Sequence, residues 1–328
     1  MPTHPFVPAL DVVVEAEAKW LTEVLLDRPD CDNFRKLEAL YRGIRAAGVT
    51  HRFRPPSPTT PDLVAQWADI MYGVFHAMNC SLGDLYGFLR SMTRFLVVGS
   101  NPGGFTRFIL EHSNARGVGV SLPVDSGGIG LAIPPDDRFE LHELDVLDLV
   151  SHFQLSDPMP RALPFTCTQF ELIVLDITSS RPRILIAQLL LALHTIYNGG
   201  QILLTLSCIE RPLTARILIA FSKIADYLDT YKPPQVQAWS GLFYLHARVV
   251  RTDTPAYRKL KDNLQRLWNR IHSTHTEDPT WDEQDLISPW EEVMKKSNVD
   301  LVVKLGNPLW GTRLAALHRA LDRTDGFM

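Results

Sequence analysis

The sequence predicts a doubly wound α/β fold: a mostly parallel sheet of about seven strands, with helical extensions at the N- and C-terminal ends. Three observations carry that expectation. Between residues 91 and 252, short β-rich runs alternate with helical patterns. The runs are almost continuously apolar, as strands covered on both faces require. A glycine-rich turn, Val97-Val98-Gly99-Ser100-Asn101-Pro102-Gly103-Gly104-Phe105, leaves a strand and opens a helix.

Residues 1–90 read as a helical N-terminal extension. Val13, Trp20, Leu21, Val24 and Leu25 fall at helical spacing. Phe34, Leu37, Leu40, Tyr41 and Ile44 make a second apolar face, stopped near Gly48. After a proline-rich loop at 52–60, Thr60-Pro61-Asp62 starts a helix with a capping hydroxyl, a proline and an acid at the positive end. That helix carries Leu63, Trp67, Ile70, Met71 and Val74.

In the central domain, 91–252, strands are expected at 95–98, 118–121, 139–142, 172–175 and 202–204, with two more at 236–239 and 243–250. Helices are expected at 105–112, at 182–197 with Gly199-Gly200 as the stop, and at 212–228. The C-terminal extension, 253–328, opens with an amphipathic helix marked by Tyr257, Leu260, Leu264, Leu267, Trp268 and Ile271. Trp281, Trp290 and Trp310 indicate that the rest of it packs onto something.

Composition narrows the classes. The chain is 45% hydrophobic and 21% charged with a net charge of −4, so bulk charge does not point to a polyanion and any basic face must be local. Cys31, Cys80, Cys167 and Cys208 lie far apart; they read as buried thiols of a reducing compartment, with neither a disulfide frame nor a zinc site. No apolar run is long enough to span a bilayer, and the first residues lack a secretion signal, so an intracellular protein away from membranes, cytoplasmic or nuclear, is the expectation. His272 and His275 have no metal-ligand spacing, and no metal is expected.

In an open α/β sheet the ligand lies beyond the carboxyl ends of the strands, so a ligand is expected over Gly99 to Gly104. The core Pro102-Gly103-Gly104-Phe105 resembles the first motif, D-L-G-x-x-P-G-G-[FW], of the FtsJ-like RNA ribose 2′-O-methyltransferases. Gly117-Val118-Gly119-Val120-Ser121-Leu122-Pro123 is similar to the second strand of fungal FtsJ-like proteins. Asp145, in Glu143-Leu144-Asp145-Val146, stands where that family has its adenine-side acid. Phe170 to Asp176 is similar to its fourth strand, and Gly199-Gly200 to the glycine pair before its fifth. The likeness covers about half of the chain.

The resemblance implies a Rossmann-like methyltransferase sheet that holds S-adenosylmethionine. Gly99, Ser100, Pro102, Gly103 and Gly104 would surround the methionine part; Asn101, Phe105 and Ser121 complete the expected set. Asp145 would approach the adenine, and Asp176 would lie near the sulfonium as the expected catalytic residue. The implied acceptor is an RNA ribose 2′-hydroxyl.

That family uses a Lys-Asp-Lys-Glu set, of which Asp176 alone is retained. Asn79, Thr205 and Leu242 stand near the other three places, and no lysine occurs between Lys36 and Lys223. Arginine stays protonated and cannot replace a lysine base. Val97 also replaces the acid that normally ends the first strand. Two readings stay open. One is an active enzyme with a different base, for which His142, Asp176, Thr178, Ser207 and His246 are candidates. The other is an inactive methyltransferase-fold binding or scaffold protein. A nicotinamide-dependent oxidoreductase fits poorly: the glycine spacing differs, and the second strand ends in Ser121-Leu122-Pro123 without an acid. For an RNA partner, Arg258, Lys259, Lys261, Arg266 and Arg270 offer one basic helix, with Arg52 and Arg54 beside Phe53 as a possible addition. A solvated helix face explains the same run.

Overall fold

The computed structural model describes residues 16–46, 60–82, 89, 92–151, 153, 163–165, 169–177, 181–234, 236, 238–274 and 278–325. Val13, Gly48, Arg52, Phe53, Arg54, Cys167, Thr178 and His275 lie outside them.

Three helices, α1 (Ala16–Asp27), α2 (Asp32–Ala46) and α3 (Pro61–Leu82), precede the sheet. The central unit follows as β1 (Arg94–Val98), α4 (Gly104–His112), β2 (Arg116–Ser121), β3 (Phe139–Glu143), α5 (Val146–Ser151), β4 (Phe170–Leu175), α6 (Pro182–Thr195), β5 (Ile196–Ser207), α7 (Pro212–Phe221), β6 (Ala225–Tyr231) and β7 (Leu242–Val250). The chain ends in α8 (Pro255–Ser273), the single turns α9 (Trp281–Gln284) and α10 (Trp290–Val293), and the long α11 (Lys296–Asp325).

The seven strands form one sheet in the order β3-β2-β1-β4-β5-β7-β6. The first five in that order run parallel to one another, and β7 runs antiparallel to both β5 and β6. This is the doubly wound α/β fold that the sequence predicts. Alternate residues of each strand feed opposite cores, which explains the continuous apolar runs. Leu96 and Val98 face the core under α6, α7, α8 and α11; Phe95 and Val97 face the one under α3 and α4. On α8, Tyr257, Leu260, Leu264, Leu267, Trp268 and Ile271 are all buried, and Thr254 caps the helix by accepting from the Tyr257 amide at 3.2 Å.

Three sequence expectations need correction. The helix from 212 ends at Phe221, and residues 225–231 form β6. The last turn tightens through Lys223 N–H to Ala220 and Ile224 N–H to Phe221, and Arg251 then donates to the Ile224 carbonyl at 2.7 Å. Pairing with β7 thus outweighs the helical periodicity. Of the strand expected at 236–239, the described residues Val236, Ala238 and Trp239 form bend and turn, reached through Pro233 and Pro234, which have no amide to give a ladder. Gly199-Gly200 does not stop α6, which ends at Thr195. The pair lies within β5, at the irregularity between the Phe170–Ile196 and Leu172–Gln201 pairings, where Gly199 adopts φ +83°.

Cys31 and Cys208 are buried and half-buried free thiols, whereas Cys80 is exposed on the outer face of α3 beside His76. The expectation of burial fails there because only the inner face of α3 meets the core. Among the described residues no helix is long and apolar enough to cross a membrane.

α3 reaches the sheet by packing directly on the start of α4. A Cβ on Gly104 would stand 2.2 Å from the Ala68 carbonyl oxygen and 2.6 Å from the Tyr72 amide nitrogen. Gly104→Ala is therefore expected to destabilise the protein by about 1–3 kcal/mol, because a backbone-to-backbone contact cannot yield as a flexible side chain does. Urea denaturation measures this, and an unchanged midpoint would show that α3 does not lie against α4 in solution.

Candidate functional site

Strand order reverses between β1 and β4, and the glycine turn lies at that switch point. Gly99, at φ +82°, donates to the Val120 carbonyl at 2.8 Å, while the Asp176 amide donates to Val98 at 2.8 Å. Gly103, at φ +107°, makes the left-handed step from which α4 begins. A cavity of about 410 Å³ opens over this edge. Gly99, Ser100, Asn101, Pro102, Gly103, Gly104, Phe105 and Ser121 all line it, with Asp176, Thr205, Lys232 and Tyr244. Trp67, Met71 and Val74 of α3 close another side.

A segment after β2 roofs part of the turn. Asn101 Nδ2 donates to the Ile129 carbonyl at 2.5 Å, and the Ala132 amide donates to the Pro102 carbonyl at 2.9 Å. Leu131 and Ile133 cover Gly103, where an added Cβ would stand 2.7 Å from an Ile133 methyl. Asn101 thus spends its side chain on this strap. Phe105 is a wall residue packed on Phe75 and Tyr244, with ring centroids 4.8 and 5.8 Å away.

Asp176, at the carboxyl end of β4, is half-buried. One carboxylate oxygen accepts from Thr205 Oγ1 at 2.8 Å and from the Tyr244 hydroxyl at 3.2 Å. Desolvation pushes its pKa up to about 7 against the pull of those hydroxyls, and no cationic side chain among the described residues pairs with it. Burial, followed by the charge of Asp176, holds the Tyr244 hydroxyl well above its ordinary pKa and so protonated.

Lys232 was missed by sequence reasoning. It follows β6 directly, beyond the lysine-free stretch between Lys36 and Lys223, and topology brings it to the same sheet edge as Asp176. Its ammonium donates to Ser240 Oγ at 3.2 Å and to the Leu242 carbonyl. Burial, and then the charge of Arg313, lowers its pKa to about 7. Arg313 itself bonds Glu210 at 3.1 Å and the Tyr41 hydroxyl at 2.9 Å, which ties α11 and α2 to the loop after β5. A buried lysine that is half neutral near physiological pH is a competent base. No sequence signal marks it, because the strand that it follows is read there as helix through Leu228.

The other candidates scatter. Asp145 is absent from the cavity lining; its carboxylate accepts from the Leu147 amide at 2.8 Å and caps α5. Thr205 and Leu242 line the cavity, while Asn79 does not. His142 lies 2.8 Å from Glu140 on β3, outside the lining. His246 is buried in β7 against Gln201 at 2.9 Å, and burial lowers its pKa to about 3, so it is a neutral core residue. Ser207 also lies outside the lining. On α8, Arg258, Lys259, Arg266 and Arg270 are exposed and Lys261 is half-buried; the helix packs on α6 and contributes nothing to the cavity.

The residues present fit S-adenosylmethionine in the methionine lobe: two left-handed glycines at an open sheet edge, and a desolvated carboxylate suited to a cation. Val97, which lines the cavity, offers no acid for the amino group.

No family model matches the chain, and no curated protein matches it in sequence. Solved structures similar to it include human methyltransferase-like protein 13 in complex with SAH, 15% identical over 67% of this chain and 95% of that one, with a TM-score of 0.37. A 1,6-didemethyltoxoflavin-N1-methyltransferase from Burkholderia thailandensis is 15% identical over 65% and 90%, with a TM-score of 0.37. A probable spermidine synthase from Corynebacterium glutamicum is 14% identical over 57% and 67%, with a TM-score of 0.38. Likenesses this distant bear on neither cofactor nor reaction.

Proposed function

We propose that this chain is an S-adenosylmethionine-dependent methyltransferase that acts on a hydroxyl oxygen. One observation carries the reading: the cavity over the glycine turn contains a carboxylate, Asp176, whose bonded partners are two neutral hydroxyls. A sulfonium beside it supplies the missing positive charge. The bound cofactor would supply an electrophilic methyl group. Gly99 to Gly104 would seat it, Asp176 would orient its charged centre, and Lys232 would take the proton from the acceptor hydroxyl. Lys232 thereby provides a base that the Lys-Asp-Lys-Glu pattern alone does not reveal. Equilibrium dialysis with labelled S-adenosylmethionine tests the reading: one equivalent bound, displaced by the demethylated product, is expected, and no retention would refute it.

RNA as acceptor is a second reading, favoured by the four exposed basic residues on the outer face of α8. On that reading, reversing the charge at Arg266 and Arg270 together abolishes salt-sensitive RNA binding in a filter assay. Unchanged retention of RNA removes α8 from the account.

A further inference from the structure

We propose that the acceptor is a phenol on a flat, uncharged, apolar body, a small molecule that enters the cavity whole. The proposal rests on the cofactor reading above and adds the acceptor's class to it.

Besides the glycine turn, the cavity is lined by Trp67, Met71 and Val74 of α3, of which Met71 also lies against Gly104, and by Val236 and Leu242. Trp67 gives a planar surface on which an aromatic ring stacks. Among the described lining residues Lys232 is the one basic side chain and Asp176 the one acid. Phosphate recognition calls for arginines, lysines or free helix amides. The amides that start α4 belong to the turn assigned to the cofactor, and the basic residues of α8 sit on a helix packed against α6. This wall therefore has nothing with which to hold a phosphodiester.

The chemistry of the base points the same way. A phenol ionises near about 10. An alkyl hydroxyl is far less acidic, nearer water at about 15.7. Lys232, lowered to about 7 by burial, faces a modest gap for a phenol and a large one for an alcohol. In the step itself the phenolic O–H proton passes to Lys232 Nζ. The oxygen forms the new bond to the methyl carbon. The carbon–sulfur bond breaks with its electron pair on sulfur, which leaves a neutral thioether.

The test uses the full chain with 2-naphthol as the probe, beside adenosine and an RNA oligomer. Binding is read by calorimetry with and without S-adenosylhomocysteine, and transfer by label from methyl-labelled cofactor. The expected result is naphthol binding and a labelled methyl ether. Trp67→Ala is expected to weaken naphthol binding about tenfold and to leave cofactor binding unchanged. Should Trp67→Ala fail to fold, Trp67→Leu, which keeps apolar bulk but removes the ring, gives the same readout. Naphthol binding, sensitive to Trp67, by a chain that ignores S-adenosylmethionine would support this wall and overturn the cofactor reading. Absence of naphthol binding, or label in RNA or adenosine with none in naphthol, overturns the phenol proposal.

Discussion

Lys232→Met is expected to lower the rate of methyl transfer about a thousandfold while cofactor binding stays within about twofold, the scale of loss when a positioned base is removed. Methionine keeps the volume of the buried stem, but its thioether is far too weakly basic to take a proton. Because Lys232 also donates to Ser240 and to the Leu242 carbonyl, part of any loss in the methionine variant reflects the loop. Lys232→Arg separates the two effects: it keeps the charge and the donors, yet stays protonated. It is expected to fold and bind as the parent and to be equally inactive. The pH profile gives a further readout. At saturating cofactor, kcat of the parent should rise as pH passes about 7, where Lys232 loses its proton, and then level off. That limb should vanish in both variants. Activity near that of the parent in Lys232→Arg would exclude Lys232 as the base.

The second large effect is expected at Asp176. Replacing it with asparagine keeps the shape and an acceptor for Thr205 and Tyr244 but removes the negative charge. Affinity for S-adenosylmethionine should fall about tenfold or more, since a charge pair at about 4 Å with a dielectric of about 20 is worth about 4 kcal/mol before desolvation is counted. The demethylated product carries no sulfonium, so its affinity should change little. Equal losses for both ligands would place Asp176 at the cofactor's amino group, which both share. Competition dialysis distinguishes these outcomes.

Much of the architecture was legible because apolar strands buried on both faces leave an unmistakable pattern, as at Phe95–Leu96–Val97–Val98 and Leu172–Ile173–Val174–Leu175. Asp176 was legible for the same reason: an acid ending such a run stands at the carboxyl edge of a parallel sheet. β6 was hidden. The helix read from Pro212 runs on through Leu228, and pairing with β7 makes Ala225 to Tyr231 a strand instead. Losing β6 also hid Lys232, whose place at the sheet edge depends on that strand. The strap from Gly127 to Ile133 has no periodicity, and its contact with the turn exists only in three dimensions. The histidines show the opposite case. His246 alternates with apolar neighbours in a strand, and the structure places it in the core.

The most direct test of the central claim is a calorimetric titration of the unmodified chain with S-adenosylmethionine and S-adenosylhomocysteine between about pH 6 and about pH 8. In the free protein the folded pKa of Asp176 is raised, from 3.8 to about 7. The folded state therefore holds an extra proton between those values, and this contribution to stability is lost as pH rises through about 7. A sulfonium requires the carboxylate, so its binding releases that proton in the lower range. Affinity for S-adenosylmethionine is expected to climb up to about tenfold per pH unit below about 7 and then level off, with the product's affinity nearly flat. Absence of binding by either ligand across the range, or S-adenosylmethionine affinity that does not change with pH, would contradict that claim.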